Sequence, residues 1–93
     1  MARIAVVGSG FVGRAWAIAF ARGGLDEALW DEDKAAPARA IDFVRSVLPD
    51  LERGDLLQGR KPTEILSLIH PEADLAAAVA GVAHVQENVP ERL

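Results

Sequence analysis

The sequence predicts an α/β fold in which a parallel sheet carries helices on both faces. Short apolar runs alternate with longer stretches in which apolar residues recur every three or four positions. Glycines stand at several of the junctions between them. This alternation is typical of parallel strands, because each pair needs a crossover connection that is usually helical. The length of 93 residues is enough for one small domain.

The N-terminal part of the chain contains the clearest elements. Residues 3–7 are an apolar, β-branched run that ends at Gly8, as a buried parallel strand would. Pro49 should end or kink the second helix, since proline has no N–H and its ring clashes with the preceding turn. The predicted strand, helix, strand and helix of this part are residues 3–7, 11–22, 25–30 and 33–53.

The C-terminal part predicts a third strand over residues 65–69, a short helix over 74–79 and a fourth strand over 82–85. We expect the strand order 3-2-1-4, with the sheet truncated after about four strands. The outer edge at residues 83–86 would then be open, which invites pairing with another chain. We therefore expect a homo-oligomer or a marginally stable chain.

Composition excludes several classes of partner and site. The formal charge of −4 does not suit a nucleic-acid binder, which concentrates positive charge on one face. Cysteine is absent, so disulfides and thiolate metal sites are excluded, and no His, Asp or Glu spacing suggests another metal site. The longest apolar stretch, residues 15–21, is too short for a membrane span. We expect a soluble cytoplasmic protein without nucleic-acid or membrane partners.

The strongest functional motif is the glycine-rich turn after the first strand. Residues 8–13, Gly-Ser-Gly-Phe-Val-Gly, follow the pattern G-x-G-x-x-G between a predicted buried strand and a predicted helix. Asp31 ends the next strand, near the spacing expected for a dinucleotide-binding fold. Together they predict a Rossmann-type NAD-binding domain. Arg14, after the last glycine, is expected to be a solvated helix residue, with a contact to the phosphates as the alternative.

Each position of the motif has a physical role in this prediction. Gly8 permits the tight turn, Gly10 lets a diphosphate approach the backbone, and Gly13 lets helix and strand pack closely. The helix N-terminus attracts the phosphates. Asp31 would accept hydrogen bonds from the adenosine ribose and repel a 2′-phosphate, so NAD is expected rather than NADP. The alternatives are a plain turn for the glycines and a helix cap for Asp31, a role for which Asp33 competes.

Two segments together resemble one family. They are residues 7–17, Val-Gly-Ser-Gly-Phe-Val-Gly-Arg-Ala-Trp-Ala, and residues 84–91, His-Val-Gln-Glu-Asn-Val-Pro-Glu. The pair resembles the N-terminal region of the L-3-hydroxyacyl-CoA dehydrogenase family, in its lambda-crystallin or L-gulonate 3-dehydrogenase branch. The resemblance covers the whole of residues 1–93 but only the first part of a family member.

The resemblance implies further site residues. Phe11 and Val12 would contact the cofactor diphosphate through their backbone, and Asp31 would bind the adenosine ribose. Glu91 would lie near the nicotinamide end, whereas Glu87 is expected to be structural, with an approach to the cofactor as the alternative. The family's catalytic His–Glu pair would lie beyond this chain, together with the C-terminal helical part.

The resemblance therefore implies an oxidoreductase that acts by hydride transfer between NAD and a 3-hydroxyacyl-CoA or an L-gulonate-like 3-hydroxy acid. This chain alone would be inactive, and His70 and His84 would be packed or surface residues rather than catalytic ones. A stand-alone nucleotide-binding module without redox chemistry remains an alternative. The glycine pattern also occurs in FAD proteins and in 6-phosphogluconate-type dehydrogenases, but the segment 84–91 favours the first family.

Overall fold

The computed structural model describes residues 3–88, within which the chain forms a four-stranded parallel sheet and four helices. The strand order is β3-β2-β1-β4. The predicted parallel sheet of Rossmann type is therefore confirmed. The elements in chain order are β1 (Arg3–Val7), α1 (Phe11–Arg22), β2 (Asp26–Trp30), α2 (Ala36–Arg53), α3 (Pro62–Leu68), β3 (Ile69–Pro71), α4 (Leu75–Val79) and β4 (His84–Glu87).

β1 lies at the centre of the sheet and pairs in parallel with β2 on one side and β4 on the other. Val7, its last residue, is in register with Trp30 of β2 and Glu87 of β4. The ends of these three strands therefore lie at one edge of the sheet. The residues that follow them, at positions 8, 31 and 88, are brought together there.

The main core lies between the sheet and helices α1, α2 and α3. Ile4 and Val6 of β1 face this side, and the small side chains of Ala17 and Ala21 let α1 approach the sheet closely. The buried core residues on this face are Ile4, Val6, Ala17, Ala21, Leu29, Ala40, Val44, Leu48, Leu57, Ile65 and Ile69.

The opposite face is covered by α4, which packs against β1 and β2. The alternate strand residues Ala5 and Ala28 are fully buried, as is Ala78 of α4. The positions of α1 and α4 on opposite faces follow from right-handed crossovers. The connections β1-α1-β2 and β3-α4-β4 run across the sheet in opposite directions, so a right-handed crossover places their helices on opposite faces. Helices on both faces, as predicted, are the result.

The predicted third strand over residues 65–69 is wrong. Most of that segment belongs to α3, and β3 begins only at Ile69. Pro62 occupies the first helical position, where its missing N–H costs nothing, and Lys61 before it is extended. Ile65 is buried on one side of this helix while its neighbours are more exposed. A short apolar run fits either a strand or a helix face, so periodicity could not decide between them.

Helix α2 also differs from its prediction at both ends. It begins at Ala36 rather than Asp33, because the Asp33 carboxylate accepts a hydrogen bond from Ala35 N at 3.0 Å and forms a turn before the helix. Pro49 does not end the helix, which continues to Arg53. Within residues 3–88, no helix combines the length and apolar character that crossing a membrane requires.

β4 begins at His84, two residues later than predicted. Gly81 has a φ of +67°, and Val82 N donates to Val79 O at 3.4 Å. Val82 therefore belongs to the turn that leaves α4 rather than to the sheet.

Candidate dinucleotide-binding site

The turn between β1 and α1 brings two of the three motif glycines into close contact. Gly8 has a φ of +95°, a region that favours glycine, and its N–H extends the ladder by donating to Trp30 O at 2.8 Å. A methyl group on Gly13 would overlap the Gly8 carbonyl oxygen and lie 2.9 Å from the carbonyl carbon. Both glycines are therefore required by the turn itself.

Gly10 differs from the other two. Its φ is −69°, which any residue adopts, and a Cβ built on it meets no heavy atom within 4 Å. Neither backbone conformation nor packing in this structure explains a glycine here. The open space lies at the start of α1, where a ligand would need the room.

The N-terminus of α1 is open to an anion. No side chain caps it, and its first turn contains no acidic residue. The hydrogen bond from Arg14 N to Gly10 O, 2.9 Å long, is the first of the helical pattern. The N–H groups of residues 11–13 precede it and have no acceptor within the helix, so they and the helix dipole favour a phosphate.

The Asp31 carboxylate is held by three hydrogen bonds. Its Oδ2 accepts from Ser9 N at 2.7 Å and from Ser9 Oγ at 3.0 Å, and its Oδ1 accepts from Asp33 N at 2.9 Å. Partial burial by itself would raise the pKa of Asp31, but these hydrogen bonds outweigh it and hold that pKa below its ordinary value. The group is thus ionised at neutral pH, and carboxylate oxygens can accept further hydrogen bonds.

The side chains of Ser9 and Arg14 both form hydrogen bonds that hold the turn in place. Ser9 is only 1% exposed and faces Asp31. Arg14 Nε donates to Ser9 O at 3.0 Å, and its guanidinium lies 5.4 Å and 5.1 Å from the ring centroids of Phe11 and Phe43. Arg14 is half-buried rather than fully solvated, because the aromatic pair and the Ser9 carbonyl hold it against the protein.

Asn88 joins the end of β4 to the same turn. Its backbone N–H donates to Val7 O at 2.8 Å. Its side-chain Nδ2 lies 3.3 Å from Val7 O, 3.4 Å from Gly8 O and 3.2 Å from Gln86 O. Neither Asn88 nor Ser9 was singled out from the sequence. The only feature of the sequence that indicates these two residues is that each is polar and follows shortly after a strand.

The remaining predicted residues lie around this turn or outside the described residues. The side chains of Phe11 and Val12 are 78% and 60% exposed, so the first turn of α1 is accessible. Glu91 lies outside residues 3–88. Glu87, at the end of β4, is exposed.

Neither histidine reaches the turn. His70 on β3 pairs with Asp26 at 2.6 Å, and the His84 ring on β4 contacts Phe20 at a centroid distance of 6.2 Å. Within residues 3–88, no cluster of three or more His, Cys, Asp or Glu side chains could hold a metal ion.

The geometry fits an adenine dinucleotide with a free ribose. Gly10 leaves room at an uncapped helix N-terminus, and the ionised Asp31 ends the neighbouring strand. A carboxylate there is an acceptor for ribose hydroxyls and disfavours a 2′-phosphate.

Comparison with known proteins identifies the same kind of domain. Residues 3–93 match the family described as 3-hydroxyacyl-CoA dehydrogenase, NAD binding domain. Lambda-crystallin from Oryctolagus cuniculus is 42% identical over 91 residues, which is 97% of this chain and 28% of that protein. L-carnitine dehydrogenase from Bacillus cereus is 36% identical over 90 residues, 97% of this chain and 26% of that protein.

Solved structures agree with the sequence comparison. The 3-hydroxybutyryl-CoA dehydrogenase of Escherichia coli superposes with a TM-score of 0.85 at 30% identity, over 98% of this chain and 19% of that one. The chain thus spans 28% or less of the length of these three relatives. Sequence, fold and glycine turn agree, and the chain belongs to the family of NAD-binding domains of 3-hydroxyacyl-CoA dehydrogenases.

Proposed function

We propose that this chain is the NAD(H)-binding portion of an oxidoreductase that transfers hydride between NAD and the hydroxyl-bearing C3 of a 3-hydroxy acid or its CoA ester. The observation that best supports the proposal is the unfilled space at Gly10, because no protein atom lies within 4 Å of a Cβ built there and packing therefore does not account for the glycine. When bound, the nicotinamide ring supplies the hydride acceptor or donor.

The residues of the turn have different roles in binding the cofactor. Gly8 and Gly13 shape the turn, and Gly10, Phe11 and Val12 present backbone to the diphosphate. This assignment rests on the uncapped start of α1 and on the clearance at Gly10.

Asp31 and Glu91 are assigned to the two ends of the cofactor. Asp31 accepts hydrogen bonds from the adenosine ribose with the lone pairs that Ser9 and Asp33 leave free. It also makes NADP unfavourable, because a 2′-phosphate would meet an ionised carboxylate. Glu91 is assigned to the nicotinamide side through the family resemblance alone.

The substrate class follows from the chemistry that the names of the relatives share. 3-Hydroxybutyryl-CoA and L-carnitine both carry a hydroxyl on C3, as a 3-hydroxyacyl-CoA or an L-gulonate-like acid would. The lengths of the relatives support placing the catalytic His–Glu pair and the C-terminal helical part outside residues 1–93. We further propose that the whole enzyme is homo-oligomeric and cytoplasmic and that it acts in fatty acid metabolism.

Replacement of Asp31 tests the proposal at its most specific residue. Asp31→Ala should weaken NADH binding by about tenfold or more, because hydrogen bonds to a charged acceptor are lost. The substitution should also reduce the difference in affinity between NADH and NADPH. Calorimetric titration of both dinucleotides measures these changes.

Asp42→Ala is the matched control. It removes the same charge from an exposed carboxylate that pairs with Arg45 at 3.0 Å on the surface of α2. NADH affinity should stay at the level of the unsubstituted chain. Equal affinity in Asp31→Ala and Asp42→Ala would refute the ribose assignment, provided that circular dichroism shows both variants folded.

A further inference from the structure

The peptide group between Gly8 and Ser9 is hydrogen-bonded on both sides. On one side, the Gly8 carbonyl oxygen lies 3.4 Å from Nδ2 of Asn88. On the other, the Ser9 N–H donates to Oδ2 of Asp31 at 2.7 Å. In a trans peptide the C=O and N–H point in opposite directions, so one rigid plane links the end of β4 to the end of β2.

Asn88 is itself fixed in place by the sheet. Its backbone N–H donates to Val7 O at 2.8 Å and continues the pairing of β1 with β4. Its side-chain amide then has two N–H groups for three carbonyl oxygens, those of Gln86, Val7 and Gly8, at 3.2 to 3.4 Å. The distances are at the long end for such bonds, which indicates a donor shared among the three carbonyls.

The turn needs such a donor because its first residue is glycine. Gly8 lacks the Cβ that restricts other residues, so the orientation of the peptide that follows it depends on its contacts with Gly13, Asp31 and Asn88. A reoriented peptide would turn the Ser9 N–H away from Asp31 and leave the carboxylate with fewer partners. The donor on Asn88 favours the one orientation in which Gly8 O points toward β4.

We propose that Asn88 is a positioning residue of the cofactor site. It holds the Gly8–Ser9 peptide so that Ser9 N–H meets Asp31, and it thereby sets the carboxylate that binds the ribose. This inference rests on the proposed function, because it assigns Asn88 to the same NAD(H) site. The end of β4 is thus coupled to recognition of the adenosine ribose.

A double-mutant cycle tests this coupling. NADH is titrated into the unsubstituted chain, Asn88→Ala, Asp31→Ala and the double variant. Asn88→Ala alone should weaken binding by about threefold to tenfold, the effect of one hydrogen bond. In the Asp31→Ala background the same substitution should change affinity by less than about twofold, since its effect passes through Asp31. Independent, multiplying effects would overturn the proposal.

Asn88→Asp tests whether a donor is needed at this position. The shape is preserved, but a carboxylate now faces carbonyl oxygens, so NADH binding should weaken at neutral pH. Lowering the pH should restore it as the new carboxyl is protonated and can donate. Affinity equal to that of the unsubstituted chain at neutral pH would show that the donor is not needed.

Hydrogen exchange of the Ser9 amide gives a readout without a ligand. The amide should exchange more slowly in the unsubstituted chain than in Asn88→Ala or, should that variant fold poorly, in Asn88→Leu, which keeps the bulk of the side chain but has no donor. Equal rates would refute the positioning role. Absence of NADH binding to the unsubstituted chain, with the exchange difference present, would instead refute only the proposed function.

Discussion

Among single residues, Glu27 departs most from what the interior of a strand favours. It lies in β2, in register with Ile4 and Ile69, and its side chain is fully buried. Neither carboxyl oxygen has a hydrogen-bond partner within residues 3–88. Burial, and to a lesser extent the charge of the neighbouring Asp26, raises the pKa of Glu27 from 4.5 to about 9. The group is therefore neutral at physiological pH.

This buried acid should make the stability of the chain fall as the pH rises. Between about pH 4.5 and 9 the folded state keeps a proton that the unfolded state has released. Below about pH 4.5 Glu27 is protonated in both states and costs no stability relative to the unfolded chain. Between about pH 4.5 and 9, each rise of one pH unit increases the equilibrium constant for unfolding by up to about tenfold. Urea unfolding at pH 6 and pH 8.5 should show higher stability at pH 6.

Glu27→Gln isolates this residue from the other titrating groups. It keeps the shape and removes the titration, so its stability should change less than that of the unsubstituted chain between the two pH values. The account of Glu27 fails if both chains show the same pH dependence. Glu27→Met should be the most stable of the three, because no polar group remains buried without a partner.

The sequence shows which residues form the turn but not what holds them. Gly8, Gly13 and Asp31 were predicted from their spacing, because the turn and the strand end depend on local geometry. Ser9 and Asn88 could not be assigned in the same way. Their partners, Asp31 and Gly8, follow other strands, and those pairings exist only once the sheet has formed.

Among the helices and strands, those with a clear apolar pattern are predicted correctly from the sequence, whereas a short apolar run is not. β1 and α1 were predicted with their observed bounds, since a β-branched run and a long periodic helix are clear patterns. The strand predicted over 65–69 became α3, where Pro62 and the buried side of Ile65 decide for a helix. Such short apolar runs are settled by tertiary packing.

The outer edge of β4 predicts self-association of this chain. Among residues 3–88, β4 pairs only with β1, and Val85 is 42% exposed on that strand. Unpaired N–H and C=O groups on an edge strand invite another strand. Sedimentation velocity should show oligomers that increase with concentration, and Val85→Lys should reduce them because a charge opposes edge pairing.

Leu56→Lys serves as the control for that substitution. Leu56 is also apolar and exposed, at 50%, but it lies in the connection between α2 and α3. It should leave the oligomers unchanged. A chain that stays monomeric at all concentrations would contradict the role of the edge.

For the molecule as a whole, the strand order explains why the site forms. Because β1 lies between β2 and β4, the glycine turn, Asp31 and Asn88 meet at one edge of the sheet. The order agrees with the one expected for the Rossmann-type fold that the glycine motif indicates. The same fold occurs in the much longer 3-hydroxybutyryl-CoA dehydrogenase of Escherichia coli, of which this chain covers 19%.

The central claim is that the turn is built to hold a cofactor diphosphate, and Gly10→Ala tests it most directly. Alanine suits the φ of −69° and meets no atom within 4 Å, so the unfolding free energy should change by less than about 1 kcal/mol, the scale of a cap substitution. Calorimetric titration of this variant should show NADH affinity reduced by about tenfold or more, because the methyl group occupies the space of the diphosphate. A stable Gly10→Ala chain that binds NADH as tightly as the unsubstituted one would contradict the account.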